Sequence, residues 1–130
     1  MQNMSYLVGT FLEYCDEQEC FIALTNLIHQ HYFLNLFRGF ISDVKLRVAL
    51  FEQYFKQNLP DLYEHFEFLE IETAFYLTDW MLTCFVNVID FKIACRIIDC
   101  FLLDGEVFIF KTGIALLIYF QSTLIKSSHY

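Results

Sequence analysis

Apolar side chains recur along this chain every three or four positions, the spacing that places them on one face of an α-helix. Phe21, Leu24 and Ile28 are one example. The pattern predicts seven helices, over residues 5–14, 16–32, 42–59, 60–70, 72–86, 91–103 and 106–121. The run 107–110 could instead form a strand, but no neighbouring run would pair with it. The sequence therefore predicts an all-α bundle of about seven helices.

Particular residues indicate where the predicted helices begin and end. Asp16 can accept a hydrogen bond from a helix N-terminus. Leu59 precedes a proline and so avoids helical angles, whereas Pro60 suits the first turn of the next helix. Gly105 is expected to end the sixth helix in a left-handed conformation. Gly9 lies inside the first helix, where it costs about 1 kcal/mol relative to alanine, and we predict close packing around it.

The composition is too apolar for an ordinary small domain. Apolar residues make up 57% of the 130 positions, with 16 Phe and 8 Tyr, and a chain this short buries only about two thirds of its unfolded surface. A membrane protein, a domain that lacks its other half, or an oligomer would each explain the excess. A membrane-spanning helix needs about 20 mostly apolar residues. Because 74–91 contains Asp79, and 107–120 is short and contains Lys111, we predict no integral membrane segment.

Charge and cysteine usage exclude several classes of function. The net charge is −8, which disfavours nucleic-acid binding because that needs a basic surface. The five cysteines are odd in number and form no CxxC motif, so we expect reduced thiols packed as small hydrophobic groups: Cys15, Cys20, Cys84, Cys95 and Cys100. The spacing of His29 and His31 from these cysteines matches no zinc pattern. We predict neither a metal nor a cofactor.

No catalytic set of the familiar kinds is present. The sequence has no Gly-rich phosphate loop and no evident Ser-His-Asp or Cys-His arrangement, so the chain is not expected to be a nucleotide-binding enzyme itself. One helix carries an acidic row that could either meet a basic partner or be a solvated face: Asp61, Glu64, Glu67 and Glu70.

An ordered set of residues runs through the second half of the chain: Pro60-x-Leu62-Tyr63-x-His65-Phe66, then Trp80, then Arg96-x-x-Asp99 and Gly105. In residue types, order and spacing this set resembles the C-terminal portion of the TBC domain, the Rab GTPase-activating fold, and residues 6–32 resemble the same family. Ile98 stands where the family usually has tryptophan. The resemblance implies a partial TBC domain over residues 1–126, followed by a frayed tail at 127–130. It also implies a structural role for six residues: Pro60, His65, Trp80, Arg96, Asp99 and Gly105.

The first residues resemble the family's glutamine-finger motif, Tyr-x-Gln-Gly. The resemblance implies that Gln2 is catalytic and orients the attacking water, and that Asn3, Met4 and Ser5 contact the GTPase. Asn3 replaces the usual glycine, and Met1 leaves no place for the preceding aromatic residue. The alternative is that Gln2 is a frayed terminal residue. The family's arginine finger lies about one subdomain upstream, outside this chain, and such an arginine contributes about 10³–10⁵ in rate.

Arg96 and Asp99 are three positions apart and so face each other on a helix. Because that helix is strongly apolar, we predict a partly buried pair that is mutually neutralising. A partnered arginine on a buried helix could not reach a phosphate, so Arg96 is interpreted as structural rather than catalytic.

The resemblance implies a part of a GTPase-activating protein for Rab-type small GTPases in the GTP-bound state. The chain would be a GTPase activator rather than an enzyme in itself, catalytically incomplete, with the missing upstream half as a further partner. Vesicle trafficking and intracellular protein transport would be its context, and its location would be cytoplasmic, peripheral on endomembranes. Two alternatives stay open: a non-catalytic helical protein-interaction module, and a small helical membrane protein.

Overall fold

A computed structural model describes residues 3–39 and 41–126, and this part of the chain contains eight α-helices and no strand. The all-α prediction is confirmed. The helices are α1 (Met4–Leu12), α2 (Glu17–Ile28), α3 (His31–Arg38), α4 (Ile41–Asn58), α5 (Pro60–Phe68), α6 (Thr73–Thr83), α7 (Phe91–Asp104) and α8 (Glu106–Lys126).

The structure has one helix more than the seven predicted, because residues 33–38, which the prediction left unassigned, form most of α3. The predicted helix 16–32 ends at Ile28, and Gln30 is extended, with ψ 143°. The chain then begins α3, which ends at Gly39 in the left-handed conformation, with φ 69°. The three-to-four spacing of apolar residues continues through both helices, so it does not reveal the break. The predicted tail at 127–130 lies outside the described residues.

Three of the predicted helix boundaries have a clear physical basis. Asp16 forms a capping box with Glu19, whose backbone N–H donates to Asp16 Oδ1 at 2.9 Å. Pro60 occupies the first turn of α5, as predicted. Gly105 does end α7, but its φ of 77° and ψ of −162° are not left-handed helical angles. They belong to a region that is essentially restricted to glycine, so the predicted conformation of Gly105 is corrected.

Aromatic rings form much of the core. Phe33, Phe51, Phe55 and Phe85 have no exposed surface. The ring of Phe55 packs edge-on against Tyr63, with centroids 5.3 Å apart, an arrangement that aromatic pairs favour. Helix α6 contacts α1, α3, α4 and α8, so it joins the N-terminal helix to the centre of the bundle.

Of the four glycines, Gly113 on α8 is the one that other side chains approach closely. A Cβ atom added there would lie 2.9 Å from Phe51 Cε2 and 3.3 Å from Trp80 Cζ3. Gly9 is different, because it is exposed and an added Cβ would meet nothing within 4 Å. The predicted close packing around Gly9 was therefore wrong, and the glycine that allows a close approach is Gly113.

Helix α8 is longer than the 107–120 segment recognised in the sequence. It has 21 residues. Within the described ranges it is the single helix that is long and apolar enough to cross a membrane, judged by length and composition alone. Of its most apolar stretch, 17% is buried. It also packs against α4, α5, α6 and α7. Ile109, Gly113 and Leu117 are its buried residues. A helix from the core of a soluble protein meets the same length and composition criterion.

Candidate glutamine-finger segment

The predicted catalytic residue Gln2 lies outside the described residues, which begin at Asn3. Asn3 is the N-cap of α1, with φ −82° and ψ −15°. These angles are in the right-handed helical region, which any residue adopts. Asparagine therefore occupies this position without strain, although the TBC pattern usually has glycine here.

The side chain of Asn3 is fixed to the far half of the chain. Asn3 Nδ2 donates a hydrogen bond to Asp79 Oδ1 at 3.3 Å, across 76 positions of sequence. The other carboxylate oxygen, Asp79 Oδ2, accepts a hydrogen bond from Asn87 Nδ2. Asp79 lies on α6 and Asn87 in the turn that follows it. One carboxylate thus holds two amide groups from distant parts of the sequence.

Thr83 orients the Asn87 amide. Its side chain has no exposed surface, and its Oγ1 lies 2.7 Å from Asn87 Oδ1 and 2.9 Å from the backbone oxygen of Asp79. Because the hydroxyl lies beside the amide oxygen of Asn87, the NH₂ group of that amide faces Asp79. We call Asn3, Asp79, Thr83 and Asn87 the Asp79 cluster.

The backbone geometry after α6 returns the chain towards Asp79. Cys84 and Phe85 both have left-handed angles, with φ 48° and 67°, which are uncommon for residues other than glycine. Both side chains are buried, with relative exposures of 1% and 0%. Their burial stabilises a turn that would otherwise be unfavourable.

Met4 and Ser5 follow Asn3 in the first turn of α1, so the structure brings the three predicted contact residues together. Met4 is half-buried and packs against the core, and Ser5 is exposed. One turn further on, Leu7 is 1% exposed and anchors the helix. Contact of these residues with a GTPase stays a prediction.

Several large apolar side chains are exposed on the helices next to this segment. Helices α1 and α2 pack against each other. Besides Tyr6, four such side chains lie on them or on the turn between them: Leu12, Tyr14, Phe21 and Ile22. Phe21 is the most exposed of these, at 73%. We call these four residues the α1–α2 apolar group.

The other residues of the TBC pattern lie at varied depths. Pro60 is exposed, and His65 is half-buried with its Nε2 atom enclosed and without a hydrogen-bond partner among the described residues. Trp80 is half-buried, and its ring lies 4.8 Å from that of Tyr76 and 5.2 Å from that of Phe85.

The predicted Arg96–Asp99 pair was wrong. Both residues are exposed, and no salt bridge joins them. The spacing identified neighbours on a helix surface but could not identify which surface is buried. The buried face of α7 is instead formed by Ala94, Ile97, Ile98 and Phe101.

The partly buried arginine of this structure is Arg47. Its Nε donates to Glu106 Oε2 at 2.8 Å, and its guanidinium carbon lies 5.4 Å from the centre of the Tyr32 ring. These contacts connect α4 to the first residue of α8 and to α3. Arg47 and Glu106 are 59 positions apart, so no local spacing indicates the pair.

Arg47 and Arg96 make a matched pair for mutation. We expect Arg47→Ala to lower the free energy of unfolding by about 1–3 kcal/mol, because it removes a charged hydrogen bond and a cation–π contact. Arg96→Ala should change it by less than about 0.5 kcal/mol. Urea denaturation followed by circular dichroism measures both. Equal effects would show that the Arg47 contacts do not contribute to stability.

Two concave surfaces of the structure do not include Asn3, Met4 or Ser5. One, of about 660 Å³, has an acidic rim that includes Glu52, Glu67 and Glu70. The other, of about 850 Å³, is an apolar groove between α6, α7 and α8. All four residues of the acidic row on α5 and just after it are exposed, as in a solvated face.

Potential metal ligands do not cluster within residues 3–39 and 41–126. No group of three or more His, Cys, Asp or Glu side chains there could hold a metal ion. All five cysteines are free, and Cys20 and Cys84 are buried. Burial raises the pKa of the Cys84 thiol to about 12, so it stays protonated at neutral pH. These two cysteines pack as small apolar groups, as predicted.

Comparison with known families agrees with the resemblance in the sequence. A family model described as the Rab-GTPase-TBC domain matches residues 1–125. The chain belongs to the Rab-GTPase-TBC domain family. The eight helices are therefore those of a TBC domain segment, and all four residues of the Asp79 cluster lie within the matched region.

Curated TBC relatives match over nearly the whole chain. TBC1 domain family member 14 of Bos taurus is 33% identical over 126 residues, which are 97% of this chain and 18% of the relative. TBC1 domain family member 12 of Xenopus tropicalis is 32% identical with the same coverage. The Ecotropic viral integration site 5 ortholog of Drosophila melanogaster is 32% identical over 95% of this chain and 15% of its own length. The chain thus spans less than a fifth of these relatives.

The sequence contained a signal for the Asp79 cluster that the motif pattern did not use. Asp79, Thr83 and Asn87 are spaced four residues apart in an otherwise apolar stretch. Residues at that spacing are neighbours on a helix surface, so they could have been recognised as a polar group. Their contact with Asn3 depends on the packing of α1 on α6, and the sequence does not indicate it.

Proposed function

We propose that this chain supplies the glutamine-finger part of a GTPase-activating domain for Rab-family small GTPases in the GTP-bound state. The observation that carries the proposal is the family match from residue 1, together with the fixed position of Asn3 next to Gln2. A glutamine that orients the attacking water must be held in a defined place. The hydrogen bond from Asn3 to Asp79 supplies such support one residue away.

The arginine finger comes from the missing upstream half of the domain in this proposal. The chain covers 18% of its TBC1 family member 14 relative, which leaves ample sequence for that half. The α1–α2 apolar group is a candidate docking surface for that upstream half, because exposed large apolar side chains are characteristic of interaction sites. We assign the protein a cytoplasmic role, peripheral on endomembranes, in vesicle trafficking.

The test is single-turnover hydrolysis by a panel of GTP-loaded Rab-type GTPases. The chain is assayed alone and with the region that precedes the matched segment in TBC1 domain family member 14. We expect stimulation only with that region present, and Gln2→Ala should then reduce the stimulated rate about tenfold or more. Gln57→Ala, an exposed glutamine on α4, is the control and should keep the full rate.

Failure to stimulate any GTPase of the panel with the upstream region present would overturn the proposal. Stable binding to the GTP-loaded GTPase without faster hydrolysis would instead support the non-catalytic interaction module. The α1–α2 apolar group is the observation that favours this second candidate, since it serves binding equally well.

A further inference from the structure

We propose that the apolar groove between α6, α7 and α8 is a self-association surface, occupied by a second copy of this chain. We call it the α6–α7–α8 groove; its floor includes Trp80, Ile97 and Leu117, and its rim includes Tyr119 and Phe120. The two copies face each other across a two-fold axis, and the aromatic rim of each copy enters the groove of its partner. Self-association at this surface does not depend on GTPase activation.

The groove presents an apolar surface whose few polar side chains already have partners. Its volume is about 850 Å³, and Asp90 is the one charged side chain among the described residues that line it. Asp90 Oδ1 accepts a hydrogen bond from the backbone N–H of Lys92 at 3.0 Å. The Thr112 hydroxyl donates to the backbone oxygen of Phe108 at 2.8 Å. A partner that fits this groove is therefore itself apolar.

The same surface carries both a concavity and a protrusion. Tyr119 and Phe120 line the groove, yet both are exposed, Tyr119 at 78%. Their rings pack edge-on with centroids 4.9 Å apart, so they form one paired protrusion. A two-fold interface uses the same patch on both copies and must be complementary to itself. A groove with an aromatic rim meets that requirement, and tyrosine is enriched among the residues that dominate interface energies.

The exposed area of the chain is large enough to supply a stable dimer. The chain exposes 8518 Å², whereas a monomeric protein of 15.6 kDa exposes about 7,200 Å². The excess of about 1,300 Å² is more than the roughly 800 Å² that each partner buries in an interface of standard size. Burial of the groove and its rim in a dimer would remove a large part of this excess from water.

The distribution of charge favours this face over the others for a second copy. Two copies of a chain with a net charge of −8 repel each other, so contact costs least where charged side chains are few. The other concave surface would place Glu52, Glu67 and Glu70 opposite their counterparts, whereas the α6–α7–α8 groove contributes only Asp90. No residue of α1 or α2 lines the groove, so the α1–α2 apolar group stays available to the upstream half.

Sedimentation equilibrium of the full chain tests the proposal with Tyr119→Glu and Tyr54→Glu. We expect the wild type to be dimeric at micromolar concentrations, as interfaces of this size are. Tyr119→Glu should raise the dissociation constant of the dimer about tenfold or more, because its carboxylate would be buried against an apolar partner. Tyr54, another exposed helical tyrosine, does not line the groove, so Tyr54→Glu is the matched control and should leave the constant unchanged.

The emission of Trp80 reports where the copies meet. Trp80 is the single tryptophan of the chain, and it is half-buried at the groove. As the protein concentration rises, its fluorescence should shift to shorter wavelength, and Tyr119→Glu should remove that dependence. A monomeric wild type, equal dissociation constants for the two variants, or a dimer that leaves the emission unchanged would each overturn the proposal.

Addition of the upstream region distinguishes a second copy from the missing half as the occupant of the groove. The dimer should persist when that region is bound, because the α1–α2 apolar group and the groove share no residue. If the upstream region dissociates the dimer and itself shifts the Trp80 emission, self-association is overturned and the proposed function is unaffected. If the dimer forms at the groove but no GTPase is stimulated, self-association stands and the proposed function is overturned.

Discussion

Phe33→Ala is expected to lower the free energy of unfolding by about 3–5 kcal/mol, the usual cost of removing a buried phenylalanine ring. Phe33 has no exposed surface. Its ring centre lies 4.8 Å from that of Tyr32, 5.6 Å from that of Phe37 and 5.5 Å from that of Phe101. The ring therefore joins α3 to α7, and its removal would leave a cavity between helices that cannot close without moving both. Because domains are stable by only about 5–15 kcal/mol, much of the chain could then unfold.

Phe21→Ala is the control for this effect. It removes the same atoms from α2, but Phe21 is 73% exposed, so the free energy of unfolding should change by less than about 0.5 kcal/mol. Urea denaturation and thermal melting measure both variants. A loss at Phe33 no larger than that at Phe21 would mean that α3 does not pack as described.

Gly113→Val should lower the free energy of unfolding by about 3 kcal/mol through overpacking. A Cβ atom at this position would already lie 2.9 Å from Phe51 Cε2, and the branched side chain adds two more carbons. Phe51 has no exposed surface, so its ring has no solvent space into which it can move. Helix α8 would have to shift away from α4 and α6 to accommodate the valine.

Gly9→Val is the control that separates overpacking at Gly113 from the general effect of replacing a helical glycine with valine. Both glycines lie inside helices, but nothing lies within 4 Å of a Cβ at Gly9. Valine has a slightly higher helix propensity than glycine, so Gly9→Val should leave stability unchanged or raise it by less than about 0.5 kcal/mol. Similar losses at the two positions in thermal melting would show that the close approach at Gly113 does not exist.

Hydrophobic spacing was sufficient to predict the helical class and most helix positions, since each helix must place one face in the core. Pro60 and Asp16 located two helix starts because their effects are local. The break at Gln30 was missed because the apolar spacing is the same on both sides. A backbone that leaves the helical region at one residue, Gln30, has no consequence for the hydrophobic pattern.

The candidate site was predictable only where the information is local. Gln2 and Asn3 were singled out by their resemblance to a short motif, and their role stays a prediction. The Asn3–Asp79 contact could not be predicted, because it depends on how α1 packs on α6. Arg96 was assigned to a buried pair for a related reason, since spacing along a helix does not specify which face meets the core.

The separation between Asn3 and Asp79 in sequence also determines when, during synthesis of the chain, their contact can form. Asn3 is synthesised 76 positions before Asp79, and Asn87 follows later still. The Asn3–Asp79 contact therefore cannot form until α6 has been synthesised and has folded against α1. Domains that depend on such long-range contacts form them late. A nascent chain that stalls after α5 would lack the contact that holds the Asn3 side chain.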